Sequence, residues 1–220
     1  MHRNSKLLFE KYAREHFRPG SRVLEIGPDQ DPSTYQRIVG ADAAAWDTLD
    51  FASRSDVPLT YRTIDENRFP VPDAEYDIVF AAQVIEHVRK IWRWVPELAR
   101  VCRPGGLVII INPVSWHFHE SPVDCWRIYP EGMRALCDDA GLEVLLSTWE
   151  CVELEGMGRY TPRKLRKHHI MQRLSGVVGL LNAGVRFPVE AAYDTITVAR
   201  RPLRPGAPED PHPALQDHPA

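Results

Sequence analysis

The sequence contains no apolar run that approaches the roughly 20 residues of a membrane-spanning helix. Its four cysteines form no Cys-x-x-Cys pair, and no secretory signal precedes them, so we expect reduced thiols in a cytoplasmic protein. A formal net charge of only -3 lacks the basic excess of a general nucleic-acid binder. The chain also shows no internal repeat. We therefore expect a soluble protein whose partners are neither membranes nor nucleic acids.

The composition is that of an ordinary globular domain. The 220 residues are 44% hydrophobic and 26% charged, which suffices for one α/β domain with a substantial core. We expect this single domain over residues 1–200 and a disordered tail, rich in Pro, Asp and His, over residues 201–220. Residues 150–190 exceed the length of a simple hairpin and are partly basic. This insertion is either a solvated helix or a lid or homodimer arm that helps hold an anionic acceptor.

The helical and strand segments follow from hydrophobic periodicity and from Gly and Pro stops. Helices are predicted over residues 7–17, 91–101 and 130–140. Strands are predicted over residues 23–26, 43–51, 59–64, 107–111, 142–149 and 192–198, with a further strand after residue 75. Residues 103–106, Arg-Pro-Gly-Gly, are predicted to form the turn into the strand that begins at Leu107. Alternating strands and helices indicate a mostly parallel sheet.

The first strand and the turn after it carry the clearest ligand signal. Gly27 and Pro28 end the apolar strand abruptly, and a glycine before a helix start lets a ligand approach backbone N–H groups. Glu25 near the end of this strand, and Asp50 one βαβ step later, place two carboxylates at adjacent strand tips. Carboxylates there suit ribose hydroxyls or an amino group, and they repel phosphate.

The turn lacks the second and third glycines of the dinucleotide fingerprint, because Asp29 and Asp31 occupy those positions. A pyrophosphate beside these acids is disfavoured, and with it an NAD-dependent oxidoreductase. A cationic sulfonium that carries a nucleoside fits instead. The segment resembles motif I of the class I S-adenosylmethionine (SAM)-dependent methyltransferases. That resemblance implies SAM as the cofactor, bound by Glu25, Gly27, Asp29 and Asp50.

Three further blocks resemble the type 11 subgroup of these methyltransferases. They are Phe69 to Phe80, Ala81-Ala-Gln-Val-Ile-Glu-His-Val88, and the run through Arg103-Pro-Gly-Gly106 to Ile111. The resemblance covers about residues 21–114. It implies a Rossmann-like seven-stranded sheet of order 3-2-1-4-5-7-6 with helices on both faces. It also implies cofactor contacts from Gln83 and from Asp65. Asp65 would accept a hydrogen bond from the adenine amino group; the alternative is that Asp65 is only a solvated loop acid.

Methyl transfer from a sulfonium is an in-line displacement, so the protein mainly aligns the donor and the nucleophile. An alcohol must lose its proton as it attacks, so an O-methyltransferase benefits from a general base or a metal ion. The residues after strands four and five, which meet at one edge of the sheet, include Glu86, His87, His117 and His119. Either His117 or His119 is suited to act as the base, since an imidazole has an ordinary pKa of about 6.5.

A second resemblance bears on a metal. Ubiquinone-pathway O-methyltransferases and small-RNA 2′-O-methyltransferases hold a divalent ion with Glu-x-x-Glu-His after strand four, and the RNA enzymes add a distal histidine. Here the residues are Gln83-Val-Ile-Glu86-His87, so an amide replaces one carboxylate. The resemblance implies Mg²⁺ or another divalent ion on Glu86, His87 and either His117 or His119, with Gln83 as a weak donor. Alternatively, Glu86 and His87 cap the following helix and shape the pocket.

The loop after strand five also carries groups that suit a sugar. Aromatic faces stack on the C–H faces of a sugar ring, while Asp and Arg bond its hydroxyls. The candidate acceptor residues are Trp116, Asp124, Trp126, Arg127 and Tyr129. We therefore expect O-methylation of a hydroxyl on a saccharide or glycosylated metabolite. The alternatives are a phenol, a quinone precursor or another natural product as acceptor, and a non-catalytic SAM-fold subunit.

Overall fold

The computed structural model describes residues 3–40, 43–53, 57–120, 122–152 and 192–203. Most of the predicted basic insertion (residues 150–190) and most of the predicted disordered tail (residues 201–220) lie outside the described residues. The lid or dimer arm and the disordered tail therefore stay predictions, as does the single domain over residues 1–200. None of the described helices combines the length and the apolar character that crossing a membrane requires.

Seven strands form one sheet in the order β3-β2-β1-β4-β5-β7-β6. The strands are β1 (Ser21–Ile26), β2 (Ala43–Phe51), β3 (Tyr61–Thr63), β4 (Tyr76–Ala82), β5 (Cys102–Ser115), β6 (Glu143–Glu150) and β7 (Tyr193–Arg200). The pairings among β1 to β5 are parallel, whereas β7 runs antiparallel to both β5 and β6. The predicted fold class and strand order are confirmed.

Within the described residues, four α-helices flank the sheet: α1 (Arg3–Leu8), α2 (Thr34–Val39), α3 (Ile91–Val101) and α4 (Pro130–Asp139). The helical segment of α1 continues as a π turn and a 3-10 turn to His16, so the predicted first helix is present but starts earlier. Helix α2 begins where it does because the Ser33 side chain accepts the N–H of Gln36 at 2.9 Å. Helix α4 begins with a proline, which costs nothing at a first helical position.

Two apolar cores lie on opposite faces of the sheet, because side chains alternate along each strand. In β5, Leu107, Ile109 and Ile111 pack on the face covered by α1 and α2, while Val108 and Ile110 pack on the face of α3 and α4. A central strand that is buried on both faces is apolar on both, which is why residues 107–111 of β5 show no polar alternation. The helices on both faces match the predicted architecture.

Strand β5 starts at Cys102, earlier than the predicted Leu107. Its pairing with β4 moves from Tyr76↔Cys102 directly to Ile78↔Leu107, so the residues between them form an irregularity in the strand. The predicted Arg103–Gly106 turn is therefore part of an irregular strand rather than a separate connection.

Candidate active site

The loops after β1 and β4 meet at the point where the strand order reverses. Strand β1 pairs with β2 on one side and with β4 on the other, and open α/β sheets bind ligands at such a point. Gly27 has a φ of +70°, and a Cβ atom there would lie 2.6 Å from Val84 Cγ2. Glycine is needed for the backbone angle and for the close approach of the β4 loop.

Glu25 lies in β1, directly before this turn, and its side chain is buried. Its carboxylate accepts a hydrogen bond from Trp46 Nε1 at 2.8 Å. Burial raises the pKa of Glu25 to about 7, although hydrogen bonds from Ser33 and Trp46 act in the opposite direction. The negative charge predicted at this position is therefore reduced at neutral pH.

Two aspartates near the end of β2 have different partners. Asp47 accepts a hydrogen bond from the Tyr76 hydroxyl at 2.8 Å. Asp50, nearer the carboxyl end of the strand, accepts the N–H of Phe51 at 2.7 Å and is half-buried. Asp50 therefore remains our candidate for the ribose hydroxyls.

The other predicted cofactor acids are exposed and bonded within their own loops. Asp29 accepts the backbone N–H of Thr34 at 2.9 Å and its hydroxyl at 2.6 Å. Asp65 accepts the backbone and side-chain N–H groups of Asn67 at 2.8 and 3.1 Å, and these bonds hold its pKa below the ordinary value. Both acids stabilise their loops, and their contacts with a cofactor stay predictions.

Gln83 directly follows β4 and has a φ of +58°, which is unusual for a residue other than glycine. Its Nε2 donates to Asp194 Oδ1 at 3.1 Å, and Asn4 Nδ2 donates to the other oxygen of Asp194 at 2.9 Å. Asn4 and Asp194 are fully buried. The Gln83 Oε1 atom is buried and has no hydrogen-bond partner among the described residues. Sequence analysis missed this network because its members lie on α1, on the loop after β4 and on β7.

A carboxylate and two imidazoles gather just after β4. Glu86, His87 and His119 each place a ligand atom within 4.8 Å of the others. The His87 Nε2 atom lies 3.9 Å from Glu86 Oε1, and the His87 and His119 rings are 5.0 Å apart. His87 Nδ1 donates to Val123 O at 2.5 Å, so Nε2 is the nitrogen that presents a lone pair. The structure selects His119, rather than His117, as the histidine beside Glu86 and His87.

The Glu86 side chain is 0% exposed, and neither of its oxygens has a hydrogen-bond partner among the described residues. Burial raises the pKa of Glu86 to about 8. The charge of Arg127 opposes this shift, while Asp194 and Asp124 add to it. An unpartnered buried carboxylate is costly unless it is protonated or binds a cation, so this site favours a positive ligand.

Neither Glu86 nor His87 caps the helix that follows. Helix α3 has Lys90 at its N-cap position, with no side-chain cap. The two residues instead lie in a short 3-10 turn over Ile85–His87, where the backbone O of Glu86 accepts the N–H of Cys125 at 2.7 Å. The capping part of the alternative is therefore wrong, since neither Glu86 oxygen has a hydrogen-bond partner among the described residues. A role of the two side chains in shaping the pocket stays a prediction.

The loop after β5 is held by an ion pair. Arg127 donates to both oxygens of Asp124, at 2.6 and 2.7 Å, and to the carbonyls of His117 and Trp126. The Asp124 side chain is 1% exposed, and Arg127 lowers the pKa of Asp124 to about 2. Asp124 also accepts the N–H of His119 at 2.8 Å. The two residues predicted to bond acceptor hydroxyls are thus bound to each other.

The aromatic candidates differ in their freedom to meet an acceptor. Trp126 is anchored, because its Nε1 donates to Val88 O at 2.8 Å and its ring packs on the core. The Trp116 ring is half-buried, 4.8 Å from His117. Tyr129 is 57% exposed and lies 6.1 Å from Trp149, which is 48% exposed. Sequence analysis missed Trp149 because it lies on β6, outside the loop.

The raised pKa of Glu86 predicts a pH-dependent stability. Between the ordinary pKa of 4.5 and about 8, the folded protein keeps a proton that the unfolded chain releases. The stability that the Glu86 carboxyl contributes is fully present below pH 4.5 and is lost as the pH rises through about 8. The Glu86→Gln side chain cannot ionise. We therefore expect the free energy of unfolding of this variant to rise, relative to that of the unsubstituted protein, by roughly 2–4 kcal/mol between about pH 5 and about pH 9.

Urea unfolding at a series of pH values measures this difference. The matched control is Glu131→Gln, since Glu131 is an exposed acid on α4. The prediction is wrong if the Glu86→Gln and unsubstituted curves stay parallel across the pH range.

Comparisons with known proteins agree with this geometry. Residues 30–110 match a family model described as a methyltransferase domain. The chain is 30% identical, over 64% of its length, to "Probable S-adenosylmethionine-dependent methyltransferase" of Mycolicibacterium smegmatis, covering 59% of that relative. It is 36% identical, over 40% of its length, to 27-O-demethylrifamycin SV methyltransferase of Amycolatopsis mediterranei, covering 37% of that protein. The chain thus spans less than two thirds of either relative.

Solved structures show the same fold. A SAM dependent methyltransferase from Archaeoglobus fulgidus superposes with a TM-score of 0.56 at 16% identity, covering 89% of this chain and 94% of the other. At 16% identity this likeness shows the fold.

Proposed function

We propose that this protein transfers the methyl group of SAM to an acceptor bound above the carboxyl edge of its sheet. The carrying observation is the contact between the β1 and β4 loops, where Gly27 meets Val84, together with the cluster that Glu86, His87 and His119 form in the loops after β4 and β5. In the proposed complex Glu25, Gly27, Asp29, Asp50, Asp65 and Gln83 surround the donor. The same edge holds the groups that would activate an acceptor.

The proposed acceptor group is a hydroxyl. In the step, the bond from sulfur to the methyl carbon breaks as the acceptor oxygen forms a bond to that carbon, and S-adenosylhomocysteine leaves. The hydroxyl proton passes to His119 as general base. His119 is preferred to His117 because its ring lies beside Glu86 and His87. A relative whose name refers to a 27-O-demethyl compound supports O-methylation.

For the acceptor we propose a saccharide or a glycosylated metabolite. Tyr129 presents an exposed aromatic face, and Trp116 is half-buried beside the same histidine loop. A sugar ring stacks its C–H faces on such side chains. The rifamycin relative supports the alternative, a natural-product hydroxyl, which requires a more apolar surface.

A divalent metal is a second route to an activated hydroxyl. Glu86, His87 and His119 fit such an ion, because the buried carboxylate has no hydrogen-bond partner among the described residues and His87 presents Nε2 toward it. One carboxylate with two imidazoles suits manganese, zinc or iron as well as magnesium. When bound, the ion would acidify the acceptor hydroxyl. Gln83, with its carbonyl oxygen unpartnered among the described residues, would add a neutral oxygen ligand.

Calorimetry with SAM, S-adenosylhomocysteine and NAD tests the donor assignment. We expect both SAM and its product to bind, and NAD to bind at least about a hundredfold more weakly, because the turn lacks the glycines that cradle a pyrophosphate. Asp50→Asn should weaken SAM binding by roughly tenfold, since a carboxylate accepts ribose hydroxyls more strongly than an amide does.

Asp139→Asn, on the exposed face of α4, is the matched control and should leave SAM binding unchanged. Preferential NAD binding would overturn the proposal in favour of an oxidoreductase. SAM binding without methyl transfer to any hydroxyl compound in a broad acceptor panel would favour a non-catalytic SAM-fold subunit.

A further inference from the structure

We propose that Asp124 is a positioning residue that sets the tautomer of His119, so that Nε2 of this imidazole presents its lone pair to the acceptor or to a cation. This inference rests on the proposed function, because it assigns the reacting nitrogen of the proposed site. It also gives Asp124 and Arg127 a role other than direct contact with the acceptor.

The orientation of the His119 ring follows from the partners of its Nδ1 atom. Nδ1 lies 3.2 Å from the carbonyl oxygen of His117, which can only accept a hydrogen bond. It also lies 3.5 Å from Asp124 Oδ2. With two acceptors beside it, Nδ1 carries the proton, and a neutral imidazole then has its lone pair on Nε2.

Asp124 holds the backbone of His119 as well as its ring. The Oδ2 atom of Asp124 accepts the His119 N–H at 2.8 Å, so one carboxylate oxygen lies near both the ring and the main chain. Its side chain is 1% exposed, and few water molecules can therefore compete for these bonds. The position of the imidazole is thereby tied to one buried charge.

Arg127 completes a closed ring of contacts. It binds both oxygens of Asp124, and it donates at 3.2 Å to the same His117 carbonyl that faces His119 Nδ1. Its two terminal nitrogens thus bind Asp124 and two backbone carbonyls. Four of the five N–H donors of a guanidinium are used in this way, which leaves little capacity to bind an acceptor.

The same tautomer serves both routes of the proposed reaction. A general base needs a lone pair on the nitrogen that faces the acceptor hydroxyl, and a metal ligand needs a lone pair on the nitrogen that faces the ion. A rotated or mixed tautomer would present an N–H group there instead. Asp124 therefore acts through His119, as a carboxylate that orients a histidine.

Long-range ¹H–¹⁵N NMR of the histidine side chains tests this inference without an acceptor or a metal. At about pH 8, where an ordinary imidazole is mostly neutral, we expect His119 to be predominantly the Nδ1–H tautomer. His119→Gln identifies its signals. In Asp124→Ala the ratio of Nδ1–H to Nε2–H should fall by about tenfold, the effect of losing a charge-assisted contact.

Two further variants keep the test decisive. Asp124→Asn retains an oxygen for the His119 N–H and should shift the ratio less than Asp124→Ala does, which covers the case in which the alanine variant does not fold. Asp73→Ala is the control: it removes another Asp–Arg pair, that of Asp73 with Arg100, which lies near the start of β4. This variant should leave the His119 tautomer unchanged.

A predominant Nε2–H tautomer in the unsubstituted protein would overturn the inference. So would an unchanged ratio in every folded Asp124 variant, because an aspartate that only contacts the acceptor cannot affect the free protein. SAM calorimetry on the same samples separates this failure from failure of the proposed function. If the unsubstituted protein does not bind SAM, the donor assignment is refuted and the tautomer result still stands.

Discussion

Replacement of Gly27 by alanine is expected to weaken SAM binding by more than a hundredfold and to destabilise the fold by about 2–5 kcal/mol. A φ of +70° costs an L-residue about 1–2 kcal/mol, and the new Cβ would lie 2.6 Å from Val84 Cγ2. Relief of that overlap forces the β1 and β4 loops apart, at a further cost of about 1–3 kcal/mol. The donor lies between these loops in our proposal, so its binding site is lost with the contact. Calorimetry with SAM and urea unfolding measure the two effects.

Gly141 offers a closely matched control. Its φ is +69°, and nothing lies within 4 Å of a Cβ atom placed there. Gly141→Ala should therefore show the backbone cost alone and leave SAM binding intact. The double variant Gly27→Ala, Val84→Ala removes the overlapping methyl group and should recover part of the stability. If Gly27→Ala binds SAM as tightly as the unsubstituted protein does, the donor does not lie between these loops.

His119→Ala is expected to lower the rate of methyl transfer by about 10²- to 10⁴-fold while SAM binds as before. The imidazole takes the acceptor proton or ligates the ion that acidifies the hydroxyl, so its removal slows the step by either route. His117→Ala should have a much smaller effect, because its ring lies outside the cluster of Glu86, His87 and His119. Release of S-adenosylhomocysteine across a panel of saccharide and phenolic acceptors measures the rate.

A chelator separates the two routes. If EDTA abolishes turnover and Mg²⁺ or Mn²⁺ restores it, the metal route is supported, and Glu86→Gln should then weaken calorimetric binding of Mn²⁺. If turnover is indifferent to EDTA, His119 acts as a base alone. Full turnover in His119→Ala, His117→Ala and Glu86→Ala would mean that the acceptor is activated elsewhere.

Several residues of the candidate site were predictable because their signal is local in the chain. Glu25 and Gly27 belong to β1 and the turn after it. Glu86 and His87 lie just after β4, the strand that pairs with β1 where the strand order reverses. The choice between His117 and His119 was not predictable, since both lie in one irregular loop without a repeating geometry. Only the contacts of Asp124 and of the His87 ring distinguish them.

The pairing of Asp124 with Arg127 shows a further limit of sequence reasoning. Asp124 and Arg127 are three residues apart in one loop. Such an acid and base can bind the hydroxyls of an acceptor, but they can equally bind each other. The buried Asp124 side chain decides between these roles, because burial favours a full set of partners within the protein. Trp149 and Asp194 had no signal in the chain, because each lies on a strand distant in sequence from its partner, Tyr129 or Gln83.

By itself the sequence determined the α/β class, most segment boundaries and the switch-point residues, because periodicity, Gly and Pro stops and strand ends are properties of short segments. Its resemblance to known methyltransferases supplied the strand order. Tertiary structure alone decided which histidine faces Glu86, which acids are already paired, and that α1 and β7 hold the Gln83 amide. Those outcomes depend on distances between residues far apart in the chain and on how completely each charge is buried, and neither can be read from local pattern.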